Sequence, residues 1–276
     1  IKLPTKKVAS TVKNPKLMIL YSPPKTGKTT LLSKLDDCLI IDLEEGSKYL
    51  DALKLEANNL GELQNIGAAV IKGGRPYKYV ALDTVTKLEE LCLPLAREMY
   101  KNSPMGKNFD GVSVLELPNG AGYFWLRQAF TLWLGKIKKL ADHIILVGHL
   151  KDKFIEKKGK EVQAKDLDLT GKLKAITCSD ADAIGYLYRG TDNELIINFQ
   201  SSDEVTCGAR PAHLKGQQIT VAEYDEDKND LKNVAWDKLS DYEKDHLAYK
   251  DMIMSFLYVT KLSFGEIDEE PFFLGN

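Results

Sequence analysis

Apolar residues fall along this chain in short solid runs, separated by longer stretches in which they recur every three or four positions. The solid runs are Lys16-Leu-Met-Ile-Leu-Tyr21, Cys38-Leu-Ile-Ile-Asp-Leu43, Tyr77-Lys-Tyr-Val-Ala-Leu-Asp83 and His143-Ile-Ile-Leu-Val-Gly-His149. Runs this short and this apolar read as strands buried on both faces. Between them, the three-and-four spacing predicts helices over 29–35, 46–56, 60–71, 86–100 and 123–140. Residues 101–119 hold Gly and Pro and no period, so they predict a long loop, and loops of that length in a compact domain are more often functional than idle. Strands alternating with helices predict an α/β fold: a mostly parallel sheet flanked by helices.

The texture changes after Leu150. Residues 153–165 read as a charged hairpin turning at Lys158-Gly159, and 183–189 with 194–200 as a second one turning over 190–193. Antiparallel strands are thus expected on the C-terminal side of the parallel sheet. Three regions follow: a basic, irregular extension at 1–15, a core at 16–216, and an acidic tail at 217–276. The tail holds Asp225-Glu-Asp227 and Asp268-Glu-Glu270, with a small helix expected near 241–259.

Composition narrows the class. Of 276 residues, 43% are hydrophobic and 28% charged, which suits a globular protein and excludes wholesale disorder. The net charge of −2, from 38 basic and 40 acidic side chains, gives no bulk attraction for nucleic acid. Any such ligand needs a local patch or an assembled ring or filament. Cys38, Cys92, Cys178 and Cys207 lie far apart with no CxxC pairing, so free buried thiols are expected rather than a zinc site or a disulfide framework. No stretch approaches the ~18 apolar residues of a membrane span. The opening Ile1-Lys-Leu-Pro-Thr-Lys-Lys lacks an apolar signal core, so a cytoplasmic location and no membrane partner are expected.

The chemistry concentrates after the first strand, in Ser22, Pro23, Pro24, Lys25, Thr26, Gly27, Lys28, Thr29 and Thr30. A phosphate-binding loop needs backbone N–H groups turned inward and a lysine to meet the outer phosphates. Gly27 lets the backbone approach closely, Lys28 supplies charge, and the Thr29 hydroxyl suits a magnesium ion. Ser22 stands where the Walker A pattern usually has glycine. The bland alternative, a Pro/Lys-rich surface turn, does not explain the apolar strand before it and the helix pattern after it. Magnesium also needs a second anchor at the tip of a buried strand, and Asp83 fits, reaching the metal through water, although Asp83-Thr84 suits a helix cap as well. Hydrolysis requires a group that activates water. Glu44 at the end of the second strand is the candidate, with Glu45 and Asp42 behind it. His149 ends the fourth strand, where a polar residue can sense a phosphate or be simply structural.

With Ile41-Asp-Leu-Glu44, Ala81-Leu-Asp83 and Val147-Gly-His149 following the loop in order, the chain resembles the RecA-like P-loop ATPases. It is most similar to the phage-encoded Sak/RecA-like recombination group, over residues 12 to 216, including Pro118-Asn-Gly-Ala-Gly-Tyr123, Asp168-Leu-Thr-Gly-Lys172 and Cys207-Gly-Ala-Arg210. The resemblance implies ATP with Mg2+, Glu44 as the activator of water and His149 as the link between nucleotide state and a DNA-binding loop. It further implies a homo-oligomer, ring or filament, with ATP at subunit interfaces completed by a neighbour's basic finger. Arg210 suits that finger best, ahead of Lys172, Lys174 and Arg189. Here His149 stands where bacterial RecA has glutamine. Single-stranded DNA requires cations and flat rings. Lys151, Lys153, Lys157, Lys158 and Lys160 form a basic run directly after the fourth strand, and a charge run is otherwise a solvated hairpin. The leading expectation is a DNA-stimulated ATPase acting on single strands in phage recombination or replication, with a single-strand-binding protein as a further partner. Its rivals are a nucleotide-gated assembly or loader module with little turnover and a small-molecule kinase; the latter lacks an Arg-rich lid, having only Arg75 and Arg97 to offer.

Overall fold

The structure is a computed structural model that describes residues 3, 5–8, 10, 12–157, 160–228 and 230–240, the side chains of Ile155, Lys157 and Lys160 excepted. The expected turn at Lys158-Gly159, the helix expected near 241–259 and the acidic run at 268–270 lie outside the described residues.

The first half holds β1 (Leu17–Ser22), α1 (Lys28–Ser33), β2 (Cys38–Asp42), β3 (Lys54–Glu56), α2 (Leu60–Lys72), β4 (Tyr79–Asp83), α3 (Val85–Lys101) and α4 (Gly122–Ile137). There follow β5 (His143–Lys157), β6 (Lys160–Leu167), α5 (Lys172–Asp180), β7 (Ala183–Arg189) and β8 (Glu194–Asn198). The described chain closes with β9 (Gly208–Ala209), β10 (Gln218–Asp225) and β11 (Asp230–Lys232). The strands form one sheet in the order β11-β10-β8-β7-β1-β5-β4-β2-β3, with β6 paired to β5 and β9 to β7. Its middle, from β3 through β7, is parallel; β8, β10 and β11 continue it antiparallel.

The solid apolar runs are explained by two cores. Leu17, Ile19 and Tyr21 face one, with Leu39, Ile41, Val80 and Leu82, beneath α2, α3 and α4. Met18 and Leu20 face the other, with Ile40, Ala81 and Val147, where Leu31 and Leu32 of α1 and residues of β8 and β10 cover them. Burial at alternate positions on both sides removes the polar alternation that a half-exposed strand would show. In α3 the buried positions Val85, Leu88, Cys92 and Ala96 form one stripe, and Thr84 caps the helix by accepting from the Lys87 N–H at 3.1 Å.

Five features differ from the sequence pattern. Residues 46–56 are not a helix but turns ending in β3. Asp42 Oδ2 captures the Ser47 N–H at 2.7 Å and the Ile40 N–H donates to Leu53 O at 2.8 Å, so the backbone is spent on the sheet edge. The 101–119 segment contains two short 3-10 turns, Val114–Glu116 and Pro118–Gly120. The fourth strand does not stop at His149: β5 runs on to Lys157 and pairs with β6 outside the parallel sheet. The sheet likewise continues past residue 216, because β10 lies in the stretch read as an acidic tail and pairs with β8. α5, with only Leu173 and Thr177 buried, has no counterpart among the expected elements.

Candidate functional site

The loop between β1 and α1 is shaped by two left-handed residues, Lys25 at φ 61° and Gly27 at φ 111°. The second value is one that side chains rarely adopt, so a glycine is required there. Thr26 Oγ1 donates to Pro23 O at 2.8 Å, and the Leu31 N–H donates to Gly27 O at 2.9 Å, starting α1. The Lys28 ammonium is buried in the loop it belongs to. It donates to Ser22 Oγ at 2.9 Å, to Pro23 O at 3.1 Å and to Ser22 O at 3.4 Å. Ser22, fully buried, is thus not a neutral replacement for glycine: its hydroxyl is a ligand for the lysine. Pro24 and Lys25 are exposed at the rim, and Thr30 is half-buried on α1.

The loop faces strand ends from one flank of β1. Ser22 is in register with His149 on β5, Val147 with Asp83 on β4, and Asp83 with Asp42 on β2. Thr29 Oγ1 donates to Asp83 Oδ2 at 2.6 Å, reaching across β5, which lies between β1 and β4. Burial is the main reason the Asp83 carboxyl sits above its ordinary pKa; Asp42 and Glu44 push the same way, while Thr29 and Lys28 oppose them. Burial also lowers the Lys28 pKa, against the pull of Asp83 and Glu44. A hydroxyl and a buried carboxylate, both hard oxygen donors, fit a magnesium ion that would draw its remaining ligands from phosphate and water. Thr84 caps α3 through its own hydroxyl while the Asp83 carboxyl meets Thr29, so the cap does not use the Asp83 side chain.

Glu44 lies beside this pair. Its Oε1 accepts from Thr84 Oγ1 at 2.6 Å, and its two oxygens lie 2.9 and 3.1 Å from His149 Nε2. The neighbouring acids do other work. Asp42 is buried and accepts from the Glu44 and Ser47 N–H groups at 2.9 and 2.7 Å. Burial works against its ionised form, yet hydrogen bonding from the Ser47 side chain and from the Ser47, Glu44 and Gly46 backbone outweighs it and holds the carboxyl below the usual range. Asp42 therefore shapes the turn that presents Glu44. Glu45 is exposed and paired with Lys48.

Two residues to which the sequence assigned no role, Thr86 and Asp168, tie this cluster to the next segment. Thr86 Oγ1 accepts from the His149 N–H at 3.2 Å and donates to Asp168 O at 3.1 Å. The Asp168 N–H in turn donates to His149 O at 2.9 Å. The position of Thr86, three residues past Asp83, is the signal that could have found it. Of the basic run, Lys151 pairs with Asp168 at 3.4 Å and Lys153 with the buried Asp166 at 2.9 Å. Lys158 and the side chains of Lys157 and Lys160 lie outside the description.

Arg210 sits at the other end of the sheet. Its guanidinium donates to Asp182 Oδ1 at 2.9 Å and to Ser179 O at 2.6 Å, while Asp182 Oδ2 accepts from the Lys16 N–H at the start of β1. It does not meet the loop of its own chain. Lys174 pairs with Asp166 at 2.6 Å and Lys172 is exposed on α5. Arg75 pairs with Asp142, and Arg97 donates to Gly111 O. Cys38, Cys92 and Cys207 are buried free thiols and Cys178 is half-buried. Burial pushes Cys38 and Cys92 up to about 12. Among the described residues no helix is long and apolar enough to cross a membrane.

The pattern of the AAA domain matches residues 14–211, well over half of the 276 residues. Comparison with curated proteins finds no match. A glycine-kinked loop closing on a lysine, a threonine against a strand-end aspartate, the sheet order around them and this match agree: the chain belongs to the AAA domain family, with a P-loop NTPase fold built for nucleotide binding.

Proposed function

We propose that this protein binds and hydrolyses ATP with Mg2+ at the β1–α1 loop, and uses the cycle to act on single-stranded DNA as an oligomer of the RecA-like type. The observation that supports the reading most is the convergence of Lys28, Thr29, Asp83 and Glu44 at one end of the sheet. Thr29 and Asp83 would hold the metal, which supplies positive charge against the phosphate oxygens. Lys28 would exchange the loop oxygens it now meets for those of the outer phosphates. Glu44 would take the proton of the attacking water. Thr84 and His149 orient its carboxylate, so movement of His149 alters how freely it can act.

Arg210 is 61% exposed by its side chain, and its ion pair with Asp182 fixes its direction. Its place away from its own loop suits service to a neighbouring subunit's site, where it would meet developing phosphoryl charge. DNA would lie along the β5–β6 hairpin, which continues the strand bearing His149. The phage recombination or replication setting rests on the resemblance alone. A second reading, a gated assembly or loader module with little turnover, is favoured by one observation: both Glu44 oxygens are already engaged.

Steady-state ATPase assays with and without single-stranded DNA decide between them. Lys28→Ala is expected to abolish nucleotide binding. Glu44→Gln is expected to keep binding while lowering turnover about 10²–10⁴-fold. Turnover unchanged by Glu44→Gln sinks the hydrolytic role of that residue, and turnover indifferent to DNA over a range of salt removes DNA from the proposal.

A further inference from the structure

Every group assigned so far on the far side of the loop comes from one flank of β1: His149 from β5, Asp83 from β4 and Glu44 beyond β2. The metal and the terminal phosphate belong on that flank. A nucleoside triphosphate is long, so its base and ribose must leave the loop elsewhere. On the other flank β1 pairs with β7, Tyr21 being in register with Tyr186, and β7 ends three residues later at Arg189.

Arg189 lies beside the loop. A Cβ built on Gly27 would stand 3.8 Å from Arg189 Nη2 and 3.9 Å from Leu195 Cδ2. The register runs from Arg189 to Leu195 on β8 and from Leu195 to Ala222 on β10. β10 therefore points the same way as β1, and Tyr224 near its end arrives at the loop's end of the sheet. The Arg189 guanidinium carbon is 4.7 Å from the centre of the Tyr224 ring. Both side chains are half-buried. Leu187 of β7 and Val221 and Ala222 of β10 share a core with Leu31 and Leu32 of α1, and past the end of β10 Asp230 pairs with Lys34 at 2.6 Å while Trp236 Nε1 donates to Leu31 O at 2.9 Å. The pair is thus fixed relative to the phosphate loop.

We propose that Arg189 and Tyr224 form the seat for the base and ribose of the bound nucleotide, the aromatic base adding a layer to the guanidinium–phenol stack. Flat guanidinium and phenol faces both stack on nucleobases. Asp225, Glu226 and Asp227 follow Tyr224 directly, which disfavours a phosphate there and suits the donors of a ribose or an exocyclic amine. Arg189 lies within the matched residues 14–211 and Tyr224 beyond them, so the seat joins the shared domain to the segment that follows it. The inference rests on the nucleotide-binding reading above and names the part of the ligand that reading leaves unplaced.

Calorimetry with MgATP and with magnesium tripolyphosphate, which has neither base nor ribose, separates the two. The wild-type chain should bind ATP about tenfold more tightly than tripolyphosphate, the size of one stacking contact. Tyr224→Leu and Arg189→Ala should lose that preference and leave tripolyphosphate affinity within about twofold. Tyr224→Phe, which keeps the ring, should retain it. Arg189→Lys, which keeps charge without the plane, should lose part of it and serves if Tyr224→Leu does not fold. An unchanged ATP preference in the variants overturns the seat while leaving the phosphate loop intact. Equal loss of both ligands in Arg189→Ala assigns Arg189 to the phosphates and overturns it too. A wild-type chain that binds neither ligand overturns the nucleotide reading and the seat with it.

Discussion

Asp83 shows how one side chain can be costly to the fold and necessary to the site. Its pKa is raised above the ordinary 3.8, chiefly by burial, so the folded state favours the neutral acid more than the unfolded chain does. That contribution is complete below about pH 4 and is lost as pH rises through the folded value. Asp83→Asn stays neutral and can still pair with Thr29. It is expected to melt about 2–4 °C higher than wild type at neutral pH in magnesium-free buffer, roughly 1 kcal/mol in a chain of this size. The gain should shrink toward pH 4 in a scan of melting temperature. The same substitution should remove the effect of Mg2+ on nucleotide affinity, readable by titration. At this scale the sequence was most legible where chemistry demands a residue type, as at Gly27, Lys28, Thr29 and Asp83. Ser22 was visible as a departure, but its bond to Lys28 is not, because the contact depends on how the loop folds back over six residues.

Strands buried on both faces declare themselves as unbroken apolar runs, which is why β1, β2, β4 and the first half of β5 could be read directly. The elements that could not be read are those whose polar residues serve partners distant in sequence. β3 is a three-residue edge strand of Lys54, Leu55 and Glu56, with Leu55 exposed. Leu50 and Leu53 just before it mimic helical spacing, yet Lys54 is bonded to Ser47 O and Leu50 O across the preceding turns. α5 is held from outside as well. Burial would raise the Asp166 carboxyl, but the ammonium groups of Lys153 and Lys174 outweigh it and hold its pKa below the ordinary value. Asp166 thereby clamps the β5–β6 hairpin to α5. Its contribution is present above the unfolded carboxylate value and fades as pH falls through the lower folded one. Asp166→Asn is expected to cost about 1.5–3 kcal/mol at pH 7, the range for hydrogen bonds to a charged group. Urea denaturation should show a difference that narrows toward pH 3.

For the molecule as a whole, the acidic composition after residue 217 hid the strand alternation of β10, whose Val221 and Ala222 are buried while Gln218, Thr220 and Glu223 face outward or sit at the edge. The polar residues belong to the solvent side of a sheet that still needs an inner face. Leu31, Leu32 and Leu195 share their core with Val221, Leu231 and Leu239. A chain ended at residue 216 is therefore expected to expose that core and the edge of β8, and to aggregate or unfold. Size-exclusion chromatography and circular dichroism would reveal this. A truncated chain that stays monomeric and cooperative in unfolding would show that β10 and β11 are dispensable.

β5 has a mechanical consequence. It is one continuous strand, its first half locked between β1 and β4 and its second half free of both. From His149 to Lys157 it extends about 26 Å at the usual rise per residue. Because Asp166 ties the hairpin to α5 through Lys153 and Lys174, a pivot of about 5° at His149 that carried both would move the far end through roughly 2 Å on that length. A displacement too small to disturb the packing around Glu44 would thus be magnified at the tip, as by the long arm of a lever whose fulcrum is the imidazole.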